Sequence, residues 1–333
     1  MKKHSSIYMK TNNHLPSILI YSSEYWPFYK IIKKILRNKG YKVEVYIYPQ
    51  EKNKLKYFSE IYNLFKIGYK KYNVIHAYFG TAGLIANIQR KIPVITTYCG
   101  SDLLGVTDDD FNYNFIKSFL FRFASLLAYN FSVNTTTLSK KLEDELPNNK
   151  KNTIIPLGVD TDHFKSVPLE DARKILGWSI NDIYVLFPSE KNRSVKRYHL
   201  AEKLISSIDI NYKINLISLD EPNMYDKLPL IMSASNFLVF VSKHEGSPNV
   251  IREALSCNLP IFSFDVGDVK EQIKDVKNCF CVDQDDLVSL KKIVSKFLTD
   301  NAFSRSDGRE KIINYTWVNY VDSITKLINI NVR

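Results

Sequence analysis

The stretch Phe237-Leu238-Val239-Phe240-Val241-Ser242-Lys243-His244-Glu245-Gly246-Ser247-Pro248-Asn249-Val250-Ile251-Arg252-Glu253-Ala254 decides the fold. Its first five residues form a short, wholly apolar run, the pattern of a strand buried on both faces. Ser247 reads as a helix N-cap and Pro248 as a first helical residue, which predicts a helix over Pro248–Ser256. Strand, loop and helix in that order make half of a parallel βαβ unit. The helix N-terminus then faces the strand's carboxyl edge with free amides and its positive dipole end, a place for a diphosphate. Gly246 lets a ligand approach the backbone closely. Glu245 stands just before the helix, and Glu253 about a turn and a half beyond the cap. Carboxylates do not bind phosphate but accept hydrogen bonds from hydroxyls, so the two bracket the anion site with places for a sugar on one side and a ribose on the other.

The same rhythm runs outward in both directions. Strands are predicted at Ile18–Tyr21, Val43–Tyr48, Val74–Ala77, Pro93–Tyr98, Phe131–Asn134 and Thr153–Pro156. A second set follows at Ile183–Pro188, Ile214–Leu219, Phe237–Val241, Pro260–Phe264 and Cys279–Val282. Helical stretches lie between them, among them Tyr29–Asn38, Leu55–Lys71, Gly83–Arg90, Phe115–Ala128, Arg197–Ser207 and Leu287–Leu298. The fold class is therefore α/β, with two doubly wound, Rossmann-like domains facing across a cleft. Residues 1–160 are expected to form the first domain and 161–317 the second, with Pro156–Pro168 as the loop at the boundary. The last helix, Val318–Ile328, belongs to a segment 318–333 expected to cross back to the first domain. Ligands of such sheets sit at the strands' carboxyl ends, which puts the site between the domains. The loop Phe187-Pro188-Ser189-Glu190-Lys191-Asn192-Arg193-Ser194-Val195-Lys196-Arg197 lies at that edge too, where fixed cations would neutralise a leaving diphosphate.

Composition narrows the class. The chain has 333 residues, 45% of them hydrophobic, which excludes a disordered protein. No apolar run approaches the roughly 20 residues of a membrane span. Met1-Lys2-Lys3-His4 is basic, but Leu15–Tyr21 behind it is short for a signal sequence and reads as a first strand, so the cytoplasm is the expected compartment. The net charge is +11 and all of it lies in residues 1–165; residues 166–333 carry 22 cations and 22 anions. Residues 30–71 alone hold 12 Lys and Arg against Glu44, Glu51 and Glu60. Such a surface suits phosphate-rich partners. Cys99 and Cys257 stand alone, and Cys279-Phe280-Cys281 has no second pair to complete a zinc site.

Glu245 and Glu253 have the E-x7-E spacing of glycosyltransferase family 4, and the run E-G-S-P-N-V-I-R-E-A-L-S-C-N-L-P-I-F-S-F-D-V-G-D resembles that family's donor-site signature over more than 20 positions. Four further stretches are similar to family motifs. Ile155-Pro156-Leu157-Gly158-Val159-Asp160 with Phe164 resembles the interdomain I-P-N-G-V-D-x3-F. Thr97-Tyr98-Cys99-Gly100-Ser101-Asp102 resembles T-x-H-G-S-D, Ile75-His76-Ala77-Tyr78-Phe79-Gly80 resembles I-H-A-H-F-G, and Tyr315-Thr316-Trp317 resembles the F-S-W before the last helix. The resemblance covers nearly the whole chain. It implies the GT-B fold and retaining transfer from a nucleotide-sugar. It implies that Glu245 contacts the donor sugar, that Glu253 binds the ribose, and that Gly246, Ser247, Pro248, Asn249 and Val250 surround the diphosphate. Lys196 matches the family's lysine, and Arg193 (or Lys191) its arginine. Asp102 is the acceptor-side candidate. His76 and Tyr78 stand where the family has two histidines, and Cys99 replaces a third. The family's glycine pair after the first strand is absent from Ser22-Ser23-Glu24-Tyr25-Trp26-Pro27.

Asp160-Thr161-Asp162 and Asp283-Gln284-Asp285 have the D-x-D form of a different glycosyltransferase fold, but Asp160 already belongs to the interdomain match and Asp283 precedes a helix as a cap, and no metal or other cofactor is expected. Asp108-Asp109-Asp110 reads as a solvated helix start. The function expected is a hexosyltransferase that uses a nucleotide-sugar and a glycan or lipid-linked acceptor in cell-surface polysaccharide synthesis. The basic first domain would meet an anionic membrane surface on the cytoplasmic side. A nucleotide-sugar 2-epimerase of the same architecture is one rival. A basic nucleic-acid-binding module is another, but no such signature accompanies the cations, and nucleic acid is not an expected partner.

Overall fold

The computed structural model of the protein describes residues 15–23, 26–48, 62–64, 66, 71–105, 114–148, 150–220 and 224–332. Most of the predicted helix Leu55–Lys71, the triplet Asp108-Asp109-Asp110 and the residues Met1–His4 lie outside them. Eleven strands among the described residues form two sheets. The first contains β1 (Ser17–Ser22), β2 (Lys42–Ile47), β3 (Val74–Tyr78), β4 (Val94–Tyr98), β5 (Asn134–Thr137) and β6 (Asn152–Ile154), in the order β2-β1-β3-β4-β5-β6. The second contains β7 (Ile183–Leu186), β8 (Ile214–Ile217), β9 (Phe237–Phe240), β10 (Ile261–Phe264) and β11 (Cys279–Val282), in the order β11-β10-β9-β7-β8. Every strand pairing is parallel. Both orders reverse beside a central strand, which opens a crevice at the carboxyl edge of each sheet.

Each sheet is covered on both faces, as continuous apolar strands require. Ile18, Ile20, Val74 and Ile95 face one core of the first sheet; Leu19, Tyr21, Ile75 and Val94 face the other. In the second sheet Leu186, Leu238, Phe240 and Ile261 alternate with Ile183, Val185, Phe237 and Phe262 in the same way. The last helix, Trp317–Asn331, buries Trp317, Tyr320, Val321, Ile324 and Ile328 in the first sheet's core. The chain thus passes between the sheets twice. The two passages lie side by side, joined by a bridge between Val159 and Thr316. A Cβ on Gly158 would stand 2.5 Å from the Trp317 nitrogen, so only glycine fits that crossing.

Two elements depart from the pattern in the sequence. The fifth strand is Asn134–Thr137, not Phe131–Asn134, because Phe131 still belongs to the helix Phe115–Phe131. Its three threonines are buried yet satisfied: Thr136 Oγ1 lies 2.6 Å from Thr97 Oγ1, and Thr135 Oγ1 donates to Asn152 Oδ1 at 3.1 Å. Branching at Cβ suits them to a strand, while their hydroxyls hide that strand from a reading of apolar runs. The helix Met224–Ala234 contains Pro229, a residue that reads as a breaker.

Candidate active site

The carboxyl ends of β7 and β9 bring the second domain's candidates together. Lys196 ends a short 3-10 turn, Ser194–Lys196, and Glu245 follows β9. Lys196 Nζ lies 2.5 Å from Glu245 Oε1, with only 15% and 16% of the two side chains exposed. The ammonium also sits 5.4 Å from the centre of the Phe240 ring. Arg193 is exposed and lines the cleft, whereas Lys191 turns away to Asp220, 3.7 Å off, and to the face of Tyr198. Of the two candidates for the arginine role, Arg193 is the one that lines the cleft. Arg197, which the sequence did not single out, holds the scaffold. It is buried with a positive φ of 58°, donates through Nε to the Val241 carbonyl at 2.7 Å and through Nη2 to that of Ser242 at 3.1 Å, and pairs with Asp285. Asp285 is thereby committed to Arg197 and Lys243.

The helix after β9 begins one residue later than its sequence suggests. Pro248 occupies the cap position, Asn249–Ser256 is helical, and no side chain caps it. Ser247 is not the N-cap: its hydroxyl donates to Asp268 Oδ2 at 2.7 Å and accepts from Arg252 Nη2 at 3.0 Å, so a charged pair outcompetes the helix amides for it. Pro248 has no N–H, so the amides this turn can offer to an anion are those of Gly246, Ser247, Asn249 and Val250. Asn249 Nδ2 reaches the Gly158 carbonyl at 3.4 Å, while its buried Oδ1 has no partner among the described residues. Glu253 is buried, and the Tyr225 hydroxyl donates to its Oε1 at 3.4 Å. Burial pushes the Glu253 carboxyl up to about 7 against that one weak bond.

The first domain presents a different surface from the one its motifs suggest. Asp102 is 4% exposed, and its carboxylate accepts from the backbone nitrogens of Gly80 at 3.1 Å, Cys99 at 3.2 Å and Gly100 at 2.8 Å. It shapes the Cys99–Gly100 loop from below, and Cys99 and Ser101 are the residues of that motif that face the cleft. His76 is buried, with Nε2 2.7 Å from Thr97 Oγ1 and its imidazole driven down to about 3 by desolvation, so it is a neutral core residue. Tyr78 is buried too, its hydroxyl 2.8 Å from that of Tyr320. Neither His76 nor Tyr78 lines the cleft, since both side chains are buried in the first domain and the cleft edge begins at Phe79, the residue after β3. The wall is aromatic: Trp26 stacks at 5.9 Å on Phe28 and at 6.5 Å on Phe79. Phe79, the residue directly after β3, has φ of 73°, a strained conformation that turns the chain at the cleft edge.

These parts meet in one interdomain cavity of about 390 Å³. Trp26, Phe28, Phe79, Cys99 and Ser101 line it from the first domain; Arg193, Lys196, Glu245 and Gly246 through Val250 line it from the second. Asp102, His76, Tyr78 and Glu253 lie outside this lining. The domains touch where side chains are missing. A Cβ on Gly246 would stand 2.7 Å from the Cys99 carbonyl oxygen and 2.9 Å from Gly100 Cα; within the second domain, one on Gly267 would stand 2.9 Å from the Gly246 oxygen. Sequence reasoning missed the aromatic wall and Ser101; the rule that ligands meet strand carboxyl ends, applied to β1 and β3, would have found Trp26 and Phe79. Among the described residues no three His, Cys, Asp or Glu side chains are grouped to hold a metal ion.

Residues 195–316 match the family Glycosyl transferases group 1. No curated protein matches the chain. Solved structures do. A sucrose-phosphate synthase from Thermosynechococcus elongatus superposes with a TM-score of 0.71 at 16% identity, over 95% of this chain and 98% of that one. Anabaena HepE in complex with UDP gives 0.69 at 16% identity, over 94% and 99%. A glycosyltransferase from Rickettsia africae gives 0.69 at 13% identity, over 96% and 99%. These likenesses establish the architecture: two parallel-sheet α/β domains in the GT-B arrangement, as the motif resemblance implied.

Proposed function

We propose that the protein is a glycosyltransferase that moves a hexosyl unit from a nucleoside diphosphate sugar to a hydroxyl of a glycan or lipid-linked acceptor, with retention at the anomeric carbon, in the synthesis of a cell-surface polysaccharide. The observation that carries the reading is the meeting, in one cleft, of the Lys196–Glu245 pair, Arg193 and the amides before and within the helix Asn249–Ser256. The match of residues 195–316 to Glycosyl transferases group 1 supports it, and HepE, one of the structural neighbours, is described in complex with UDP.

On this reading the amides of Gly246, Ser247, Asn249 and Val250 hold the diphosphate, Glu245 accepts hydrogen bonds from the sugar hydroxyls, and Glu253 does so from the ribose. As the anomeric carbon–oxygen bond breaks, negative charge grows on the diphosphate. Lys196, Arg193 and the helix end are already in place to meet it. Among the described residues that line the cavity, Glu245 is the only carboxylate, and Lys196 holds it. The acceptor hydroxyl therefore gives its proton to the departing phosphate oxygen as it attacks from the same face of the sugar, which yields retention without a protein base. The cations and helix amides take the charge-neutralising part that a metal plays elsewhere. Lys196→Ala and Glu245→Gln should each lower transfer by about 100-fold or more in a screen of nucleotide-sugars read by mass spectrometry. Near-wild-type rates in both would overturn the proposal.

A further inference from the structure

The helix Phe115–Phe131 is amphipathic in the reverse sense. The residues it buries are mainly small, Ser118, Ser125 and Ala128, with Tyr129. They pack so tightly on the helix Gly80–Asn87 that a Cβ on Gly80 would stand 1.9 Å from Ser125 Oγ. The side it turns outward carries Ile116 (75% exposed), Phe119 (68%), Leu120 (50%) and Phe123 (53%). Phe119 and Phe123 stack on each other at 6.3 Å. At about 100° per residue these four fall within an arc of about 100°, opposite the buried residues. Lys117 and Arg122 stand about 60° beyond the two edges of that arc. Arg122 shares its charge with Glu145 at 2.6 Å; Lys117 is exposed. Farther along, the Arg90 guanidinium lies 3.8 Å from the centre of the exposed Phe131 ring.

An apolar arc edged by cations is the arrangement of a helix lying in a bilayer interface. The rings and aliphatic chains enter the acyl boundary, and the long basic side chains reach up to the phosphates. The charge favours lipid over protein as the occupant. The helix carries two cations and no carboxylate, and it belongs to the half of the chain that holds the entire +11 surplus. We propose that the face formed by Ile116, Phe119, Leu120 and Phe123 docks the protein on an anionic lipid bilayer, with Lys117 and Arg122 at the headgroups. The Ser125 hydroxyl, on the opposite side of the helix, bonds the Asp102 carbonyl at 2.8 Å, and Asp102 shapes the Cys99–Gly100 loop, so the helix is two contacts from the cleft. That the bilayer also presents the acceptor rests on the transfer reading; the docking does not.

The test is sedimentation of the full chain with vesicles of phosphatidylcholine alone or with 30 mol% phosphatidylglycerol (a composition of about one anionic lipid in three), at low salt. Binding to the anionic vesicles should be about tenfold stronger than to neutral ones and should fall with added salt. The double variant Phe119→Ser/Phe123→Ser should lose about tenfold or more in partitioning with an unchanged melting temperature, since the rings it removes are exposed. Val288→Ser, at an exposed apolar site of the second domain, should bind as the wild type does. Failure of the wild type to bind, or equal binding by the double variant, would overturn the proposal. So would a wild-type dimer in ultracentrifugation that the double variant dissociates without any vesicle binding, which would give the face to a second copy. None of these readouts needs turnover, so they stand apart from failure of the transfer reading.

Discussion

Replacing Glu253 by Gln should stabilise the ligand-free protein and weaken its hold on nucleotide. The carboxyl is 6% exposed, and its one side-chain partner among the described residues, the Tyr225 hydroxyl, is 3.4 Å away. Burial raises it from 4.5 to about 7. Below pH 4.5 it is protonated whether the chain is folded or not, and it costs nothing. Between 4.5 and 7 the unfolded chain releases the proton while the folded one keeps it, so stability falls by about 1.4 kcal/mol per pH unit. Above pH 7 both states are ionised and the full cost stands, about 3 kcal/mol. An uncharged amide of the same shape removes it. Urea denaturation at pH 8 should therefore show Glu253→Gln more stable by about 2–3 kcal/mol, a gain that shrinks towards zero near pH 4.5. Calorimetric titration should show weaker nucleoside diphosphate binding, because a neutral amide accepts less strongly from ribose hydroxyls. A variant less stable than the wild type at pH 8 would refute the argument: the carboxylate would then be a structural partner of the fold, not a group held unsatisfied for a ligand.

Gly246→Ala places a methyl 2.7 Å from the Cys99 carbonyl, and the two domain edges must part to admit it. Transfer should drop by tenfold or so while free nucleotide still binds; unchanged transfer would show that this contact does not shape the working cleft. His76, held down to about 3 against an ordinary 6.5, should destabilise the first domain as pH falls below 6.5, by about 1.4 kcal/mol per unit. Proton NMR should find no His76 titration between pH 5 and 8. Arg193→Ala should slow transfer by tenfold or more, whereas Lys191→Ala, which removes a cation already turned to Asp220, should change it by less than about twofold.

Where the fold was legible in the sequence, the signal came from burial on both faces. Runs such as Phe237–Val241 and Ile261–Phe264 have no polar residue or only one, and a parallel sheet between helix layers is the environment they fit. The helix after β9 was legible from proline and the change of period. Its cap was not, because Ser247 prefers Asp268 and Arg252, partners that lie 21 and 5 residues along the chain. β5 was misplaced because Thr135, Thr136 and Thr137 become compatible with burial only once Thr97 and Asn152 stand opposite them. His76 and Tyr78 were singled out by residue type; which strand residues point into a core and which end at a cleft depends on where the strand stops. β3 stops at Tyr78, so Phe79, not either of them, faces the cavity. The aromatic wall joins Trp26 to Phe79 across 53 positions, a proximity that no local pattern contains.

On the transfer reading, the ion pair between Lys196 and Glu245 bears on how donor and leaving group are told apart. At 2.5 Å, with about 15% of each side chain exposed, the two charges answer each other in the cleft. A nucleoside diphosphate without sugar offers Lys196 a stronger partner, but it leaves the Glu245 carboxylate half-buried with nothing to accept from. Loss of a partner at such a group costs about 1–3 kcal/mol. An intact nucleotide-sugar brings the diphosphate for Lys196 and hydroxyls for Glu245 together, so the pair is exchanged with both members satisfied. The sugar should therefore raise affinity over the bare nucleotide by about 5- to 150-fold, and Glu245→Gln should abolish the difference, because an amide makes a much weaker demand for a partner. Titration calorimetry with the two ligands on the two proteins decides it. Equal affinities in the wild type would mean that Glu245 does not sense the sugar. If the difference holds, the same pair also favours release of the product nucleotide once the sugar has left it.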